Sequence, residues 1–149
     1  MMKYLRKLRS PLGLLTFAIL VLALGSAGCS KSDRPPGEAE EEAIARTEFT
    51  DRIENFFEYD PLKAGKGSQF LIHLTDLTDG SPVEKADVML TIRKQGGAEV
   101  AQMKARVGKV TGIYVADVAI PGSGAYDIEF HVKNQKIDER MQLTDFEVE

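Results

Sequence analysis

One cysteine, Cys29, stands in 149 residues, so no intramolecular disulfide framework can staple the fold. There is no tryptophan, and aromatic residues make up 7% of the chain. A core must therefore rest on Phe, Tyr, Ile, Leu and Val. Basic residues are in deficit, 19 Lys and Arg against 23 Asp and Glu. Four of the basic residues (Lys3, Arg6, Lys7, Arg9) fall in the first nine positions, so a chain beginning at Cys29 keeps 15 against 23, a net charge of −8. Such a surface repels phosphate backbones and argues against nucleic acid as a partner. It offers no electrostatic hold on anionic lipid either. Long apolar runs are also missing. The longest, Pro11 to Gly25, has 15 residues with Thr16 as its one polar side chain, short of the ~20 that a spanning helix needs.

What is present begins with that run. A basic start, a short apolar segment and the small residues Gly25-Ser26-Ala27-Gly28 lead into Cys29. The pattern resembles a bacterial lipoprotein signal, in which the cysteine is lipidated and becomes the mature N-terminus. Residues 1–28 are then a signal peptide, and Cys29 is the lipidation site. Two alternatives stand beside it: an uncleaved N-terminal anchor, and ordinary secretion with cleavage near Ala27. The second arises because Ser26 occupies the place where the lipoprotein motif usually has leucine. Several acyl chains anchor firmly, each buried methylene contributing about 0.8 kcal/mol. In Gram-negative lipoproteins an Asp after the cysteine retains the protein at the inner membrane. Ser30 therefore implies the outer membrane, facing the periplasm.

Residues 29–47 form an acidic, Pro-rich tether. Ser30 to Gly37, with Pro35 and Pro36, is a solvated linker. Glu38 to Arg46 is expected to form about two helical turns, its acids at the N-terminal end where the helix dipole favours them. As a functional feature it is an acidic docking tag or a metal sponge; as a plain one, a solubilising spacer.

From residue 48 the period becomes two. Ile53, Asn55, Phe57 and Tyr59 alternate with Glu54, Phe56 and Glu58, Phe70, Ile72 and Leu74 with Leu71, His73 and Thr75, and Val88, Leu90 and Ile92 with Met89, Thr91 and Arg93. Ala101, Met103 and Ala105 form a weaker alternation. Tyr114 to Ile120 and Tyr126 to Val132 follow. Met141, Leu143, Phe146 and Val148 predict a last strand containing a bulge. Asp79-Gly80-Ser81-Pro82, Gly96-Gly97 and Pro121-Gly122-Ser123-Gly124 supply turns. About seven strands over residues 48–149 predict an all-β domain, a two-sheet antiparallel immunoglobulin-like sandwich. Tyr126, just after a Gly-rich turn, sits where such folds place a tyrosine corner.

Thr50-Asp51-Arg52, Glu54, Phe56, Glu58, Pro61-Leu62 and Gly65 spell T-D-R-x-E-x-F-x-E-x-x-P-L-x-x-G. Phe70, His73-Leu74-Thr75, Leu77, Asp79, Pro82-Val83 and Gly112-Ile113-Tyr114 follow. Over residues 48 to about 132 the chain resembles the N-terminal β-sandwich domain of periplasmic adaptor proteins, the membrane-fusion partners of heavy-metal resistance–nodulation–division efflux pumps. The resemblance implies a binding or assembly module attached to such a transport system, with an efflux adaptor, pump or channel protein as its partner. A full adaptor also has barrel-like and lipoyl-like domains and a helical hairpin, which are not in this sequence. The methionine clusters that bind copper or silver in some adaptors are missing too.

The chemistry is sparse. His73 and His131 are the only imidazoles, and with Met103, Met141 or a carboxylate they are the candidate ligands of a periplasmic Cu, Ag or Zn carrier or sensor. The alternation places both outward; if their strands are the second and sixth of an immunoglobulin-type order they belong to opposite sheets, where one metal cannot hold both. Isolated Met89, Met103 and Met141 fit core or edge filling. Asp76, Asp79 and Glu84 around Gly80 are either a weak calcium site or ordinary turn chemistry. Asp51, Arg52 and Glu54, next to Thr50, are the candidate docking group; the alternative is an Arg52 ion pair that closes one end of the sandwich. Ser123 lacks the Gly-x-Ser-x-Gly setting of a nucleophile elbow. No nucleophile–base set points to catalysis, so a non-enzymatic, cofactor-free protein is expected.

Overall fold

The computed structural model describes residues 41–149, where the period-two pattern becomes ten strands. The signal, Cys29 and the linker as far as residue 40 lie outside the described residues. The strands are β1 (Ile44–Phe49), β2 (Ile53–Tyr59), β3 (Gly67–Asp76), β4 (Ser81–Pro82), β5 (Asp87–Lys94), β6 (Glu99–Lys104), β7 (Arg106–Val107), β8 (Ile113–Ala119), β9 (Gly124–Lys133) and β10 (Asp138–Val148). They form two antiparallel sheets. One has six strands in the order β1-β2-β3-β8-β7, with β4 paired to β3, and the other four in the order β10-β9-β5-β6. The domain is thus an all-β, immunoglobulin-like sandwich. All seven expected strands are present, joined by β1 and by the two-residue strands β4 and β7.

The helix expected over Glu38–Arg46 is corrected where it can be seen. Residues 44–46 open β1, which pairs with β2 from Ile44↔Tyr59 to Phe49↔Glu54. The folded region therefore starts ahead of residue 48. An isolated two-turn helix is marginal in water, whereas β2 offers this segment a complete ladder edge. Arg46 ties β1 to the other sheet: its guanidinium stands 4.9 Å over the Phe146 ring of β10 and contacts Glu48 of its own strand at 2.8 Å.

Burial follows the alternation. Ile53, Phe57, Phe70, Ile72, Val88, Leu90, Ile92, Ile128, Phe130 and Val132 are all nearly inaccessible to solvent. Phe57 lies at the centre of an aromatic cluster, 5.0 Å from Phe130, 6.0 Å from Phe70 and 6.4 Å from Phe146 between ring centroids. These rings come from both sheets and do the cross-sheet packing that a disulfide or tryptophan does elsewhere. The bulge expected in the last strand lies between Leu143 and Phe146. Asp145, at φ 69°, makes the irregular step, a conformation that Asp tolerates better than most residues.

Candidate functional site

The T-D-R group builds one end of the sandwich. The Thr50 hydroxyl oxygen accepts hydrogen bonds from the backbone N–H groups of Arg52 (3.1 Å) and Ile53 (3.0 Å), which sets the turn from β1 into β2. Arg52 then reaches across to β3. Its Nε and Nη2 donate to the two carboxylate oxygens of Asp76, each at 3.2 Å, in the two-pronged geometry suited to a guanidinium. Asp76 also accepts from the backbone N–H (3.0 Å) and the hydroxyl (2.6 Å) of Thr78. Arg52 first, then Thr78, hold its carboxyl well below the usual carboxylate range. Of the three candidate docking residues, Arg52 is committed to this ion pair, Glu54 is half-buried on the outer face of β2, and Asp51 is exposed. Phe49, the strand partner of Glu54, is 62% exposed.

A second cluster joins motif residues that sequence reading left apart. The Tyr114 hydroxyl donates to the Val83 carbonyl (2.8 Å) and accepts from the Ala86 N–H (3.1 Å). Gly112, at φ +79°, lies so close to Pro82 that an added Cβ would meet the Pro82 Cβ at 2.5 Å. Pro82-Val83 and Gly112-x-Tyr114 are thus two halves of one packing contact. Only the pairing of β3 with both β4 and β8 brings them together, and no spacing along the chain signals that.

The histidines do not converge. His73 is on β3 of the six-stranded sheet and His131 on β9 of the four-stranded one. His73 packs edge-on against Phe56, with ring centroids 5.3 Å apart. Its Nε2 is shut off from solvent and meets no hydrogen-bond partner among the described residues. His131 Nε2 lies 2.7 Å from Asp138, whose carboxyl is pushed down to about 2 by Lys133 and His131. Met141 is buried and its sulfur lies 3.9 Å from the Asn55 amide nitrogen, while Met103 packs partly buried against the core. No group of three or more His, Cys, Asp or Glu among the described residues is placed to hold a metal ion.

The acids around Gly80 border a cleft of about 410 Å3 lined by Asp76, Asp79, Glu84, Lys85 and Lys136. Asp76 is engaged with Arg52, and Asp79 accepts the Ser81 N–H at 2.9 Å. The two lysines add positive charge. This is the hydrogen bonding of a turn, set in a cleft of mixed sign. No helix among the described residues is long and apolar enough to cross a membrane.

Comparison with known proteins adds a family to this architecture. No curated protein matches the chain. The profile of a family described as YtkA-like matches residues 49–131. That span runs from the end of β1 to His131 on β9, so it takes in the T-D-R turn, the Arg52–Asp76 pair and the Gly112–Tyr114 contact. The chain belongs to the YtkA-like family.

Proposed function

We propose that this chain is a non-catalytic binding module of the cell envelope, held to a membrane by lipid on Cys29 and docked to a metal-efflux or related transport assembly. The docking element is the β1–β2 end of the six-stranded sheet. The observation that carries the reading is Phe49, a large aromatic 62% exposed at the end of the edge strand β1, with Glu54 opposite it on β2. Covering such a ring removes apolar surface from water at ~25 cal/mol per Å2. Aromatic side chains ringed by polar ones are the usual anchors of protein interfaces. Asp51, exposed in the turn, and Glu54 supply the polar rim. The adaptor resemblance supports a transport assembly as the partner, and the Cys29 motif supports the membrane attachment.

The test is photo-crosslinking in cells with the full chain, carrying a photoreactive amino acid at Phe49 or, as a control, at Gln142 on β10 of the other sheet. The expected result is a crosslink from position 49 to an efflux adaptor, pump or channel protein that position 142 does not give. Identical products from both positions, or none from position 49, would overturn the proposal.

A further inference from the structure

Edge strands present a row of unpaired backbone N–H and C=O groups, and folded proteins blunt them with brevity, bulges, proline or charge. Most edges of this sandwich are blunted. In the six-stranded sheet β4 and β7 have two residues each, and Pro82 lies in β4. In the four-stranded sheet β10 is bulged between Leu143 and Phe146, while β6 pairs with a register shift at Arg93 and ends on Lys104. The β1 edge is different. It runs six residues, Ile44–Phe49, in unbroken register with β2, and contains no Pro, Gly or Lys. Among the described residues no strand pairs with its other side.

The hairpin into β2 fixes which groups that edge presents. The Thr50 N–H donates to the Ile53 carbonyl at 2.9 Å, so Glu48, Arg46 and Ile44 are the β1 residues that share backbone bonds with β2. The N–H and C=O groups of Ala45, Thr47 and Phe49 therefore point away from the sheet, and all three residues are exposed. We infer that this edge pairs with the same edge of a second copy, antiparallel about a two-fold axis at Thr47, joining the two six-stranded sheets into one. The three free residues set that register by themselves: Thr47 faces the partner's Thr47, and Ala45 faces the partner's Phe49. A contact of this kind uses the same patch on both copies and closes as a dimer.

The side chains choose the occupant. Arg46 and Glu48 lie on the core side of β1, with Arg46 over Phe146, and their side chains are 22% and 31% exposed. An added strand covers them further, and a strand of arbitrary sequence would leave them without an answering charge, which is costly. The register centred on Thr47 puts Arg46 opposite the partner's Glu48, and Glu48 opposite the partner's Arg46. Both are non-hydrogen-bonded pairs, where antiparallel side chains stand closest. Arg46 keeps Glu48 of its own chain at 2.8 Å and Asp145 at 3.3 Å, because the five N–H donors of a guanidinium leave room for a further carboxylate. The four charges then alternate in sign, along each strand and across the pair. On the outer face the large ring of Phe49 meets the small side chain of the partner's Ala45. Slipping the register by two residues either way sets Arg46 against the partner's Arg46 or Glu48 against the partner's Glu48, and like charges directly opposite are destabilising.

This inference is independent of any transport partner, because purified protein tests it. Full-length chain in detergent is examined by sedimentation equilibrium, as wild type, Thr47→Pro and Thr47→Val. The Thr47 N–H takes no part in the ladder with β2, so proline removes a donor that only the second copy uses. A contact of one strand pair lies at the weak end of specific association, and wild type is expected to dimerise at about 10–100 μM. Thr47→Pro removes two intermolecular hydrogen bonds per dimer and is expected to weaken association at least about tenfold. Thr47→Val keeps the N–H and is expected to stay within about threefold of wild type. A monomeric wild type, or a Thr47→Pro chain that associates as well as Thr47→Val, overturns the inference. A geometric readout covers the case in which circular dichroism shows that the proline variant does not fold. On oxidation, Thr47→Cys is expected to crosslink two copies, because facing Cα atoms at such a pair stand ~5.5 Å apart. Ala45→Cys is expected to give no more covalent dimer than wild type, because the two copies of position 45 lie ~14 Å apart along the strands. Wild type, treated alike, accounts for Cys29. No dimer from Thr47→Cys beyond the wild-type level, or as much from Ala45→Cys, also overturns the inference.

Discussion

Arg52 and Asp76 show what a motif residue is for. The carboxylate takes two bonds from the guanidinium and two from Thr78, so its ionised form is favoured in the folded state. A carboxyl whose folded pKa is depressed stabilises the fold above its unfolded value of about 3.9. That contribution is lost as pH falls through the lower, folded value. Asp76→Asn is therefore expected to melt at a lower temperature than wild type at pH 7. The gap should narrow steadily below about pH 4, as wild-type Asp76 itself takes up a proton. Thermal melts of both proteins between pH 7 and pH 2 measure it. A gap that stays constant over that range would show that the ion pair contributes nothing beyond side-chain shape. Asn55 is a contrasting residue. The alternation alone puts it on the inward face between Ile53 and Phe57. It is fully buried there, with its amide nitrogen against Met141 sulfur and its Oδ1 without a hydrogen-bond partner among the described residues.

At the scale of elements, two tyrosines separate what the chain announces from what only the fold reveals. Tyr126 is legible in advance: a Gly-rich turn precedes it, and its hydroxyl donates to the Gly122 carbonyl four residues back, at 2.8 Å. Tyr114 looks like any inward residue of a strand, yet its hydroxyl holds both Val83 and Ala86 from 28 to 31 residues away. The strands were readable because each carries an apolar face at period two, which is a local property. The β1 strand was not, because the Glu38–Arg46 stretch is polar and acid-rich, and its ladder with β2 is set by pairing rather than by its own pattern. The Gly112–Pro82 contact was unreadable for the same reason. Energetically, Tyr126→Phe removes one hydrogen bond next to a turn and is expected to cost about 1 kcal/mol. Tyr114→Phe leaves a donor and an acceptor unpaired inside the fold, and the expected cost is about 2–3 kcal/mol. Urea unfolding of the two variants beside wild type decides the order. Equal losses would mean that the β4–β5 connection finds other partners once the Tyr114 hydroxyl is gone.

At the scale of the whole molecule the question is what holds this domain where it acts. A chain starting at Cys29 carries a net charge of −8, so electrostatic repulsion from anionic lipid works against attachment. The apolar run from Pro11 to Gly25 has 15 residues, short for a spanning helix. The described strands form a sandwich whose apolar side chains are largely spent on its own core. The Cys29 motif offers a covalent answer: acyl chains contribute about 0.8 kcal/mol per buried methylene, enough with several chains to hold an acidic domain firmly. Such an anchor is indifferent to salt, because none of its free energy comes from charge. Cells fed a clickable fatty acid are therefore expected to label the wild-type chain and to give only background labelling with Cys29→Ser. The labelled wild type should stay with the membrane fraction through a high-salt wash. Ordinary secretion with cleavage near Ala27 predicts no label and a chain free in the envelope fluid. An uncleaved anchor predicts no label and a membrane-bound chain that retains residues 1–28, which its intact mass would reveal. The three attachments thus separate on label and mass together, and label on wild type that disappears with Cys29→Ser is the outcome that only lipidation produces.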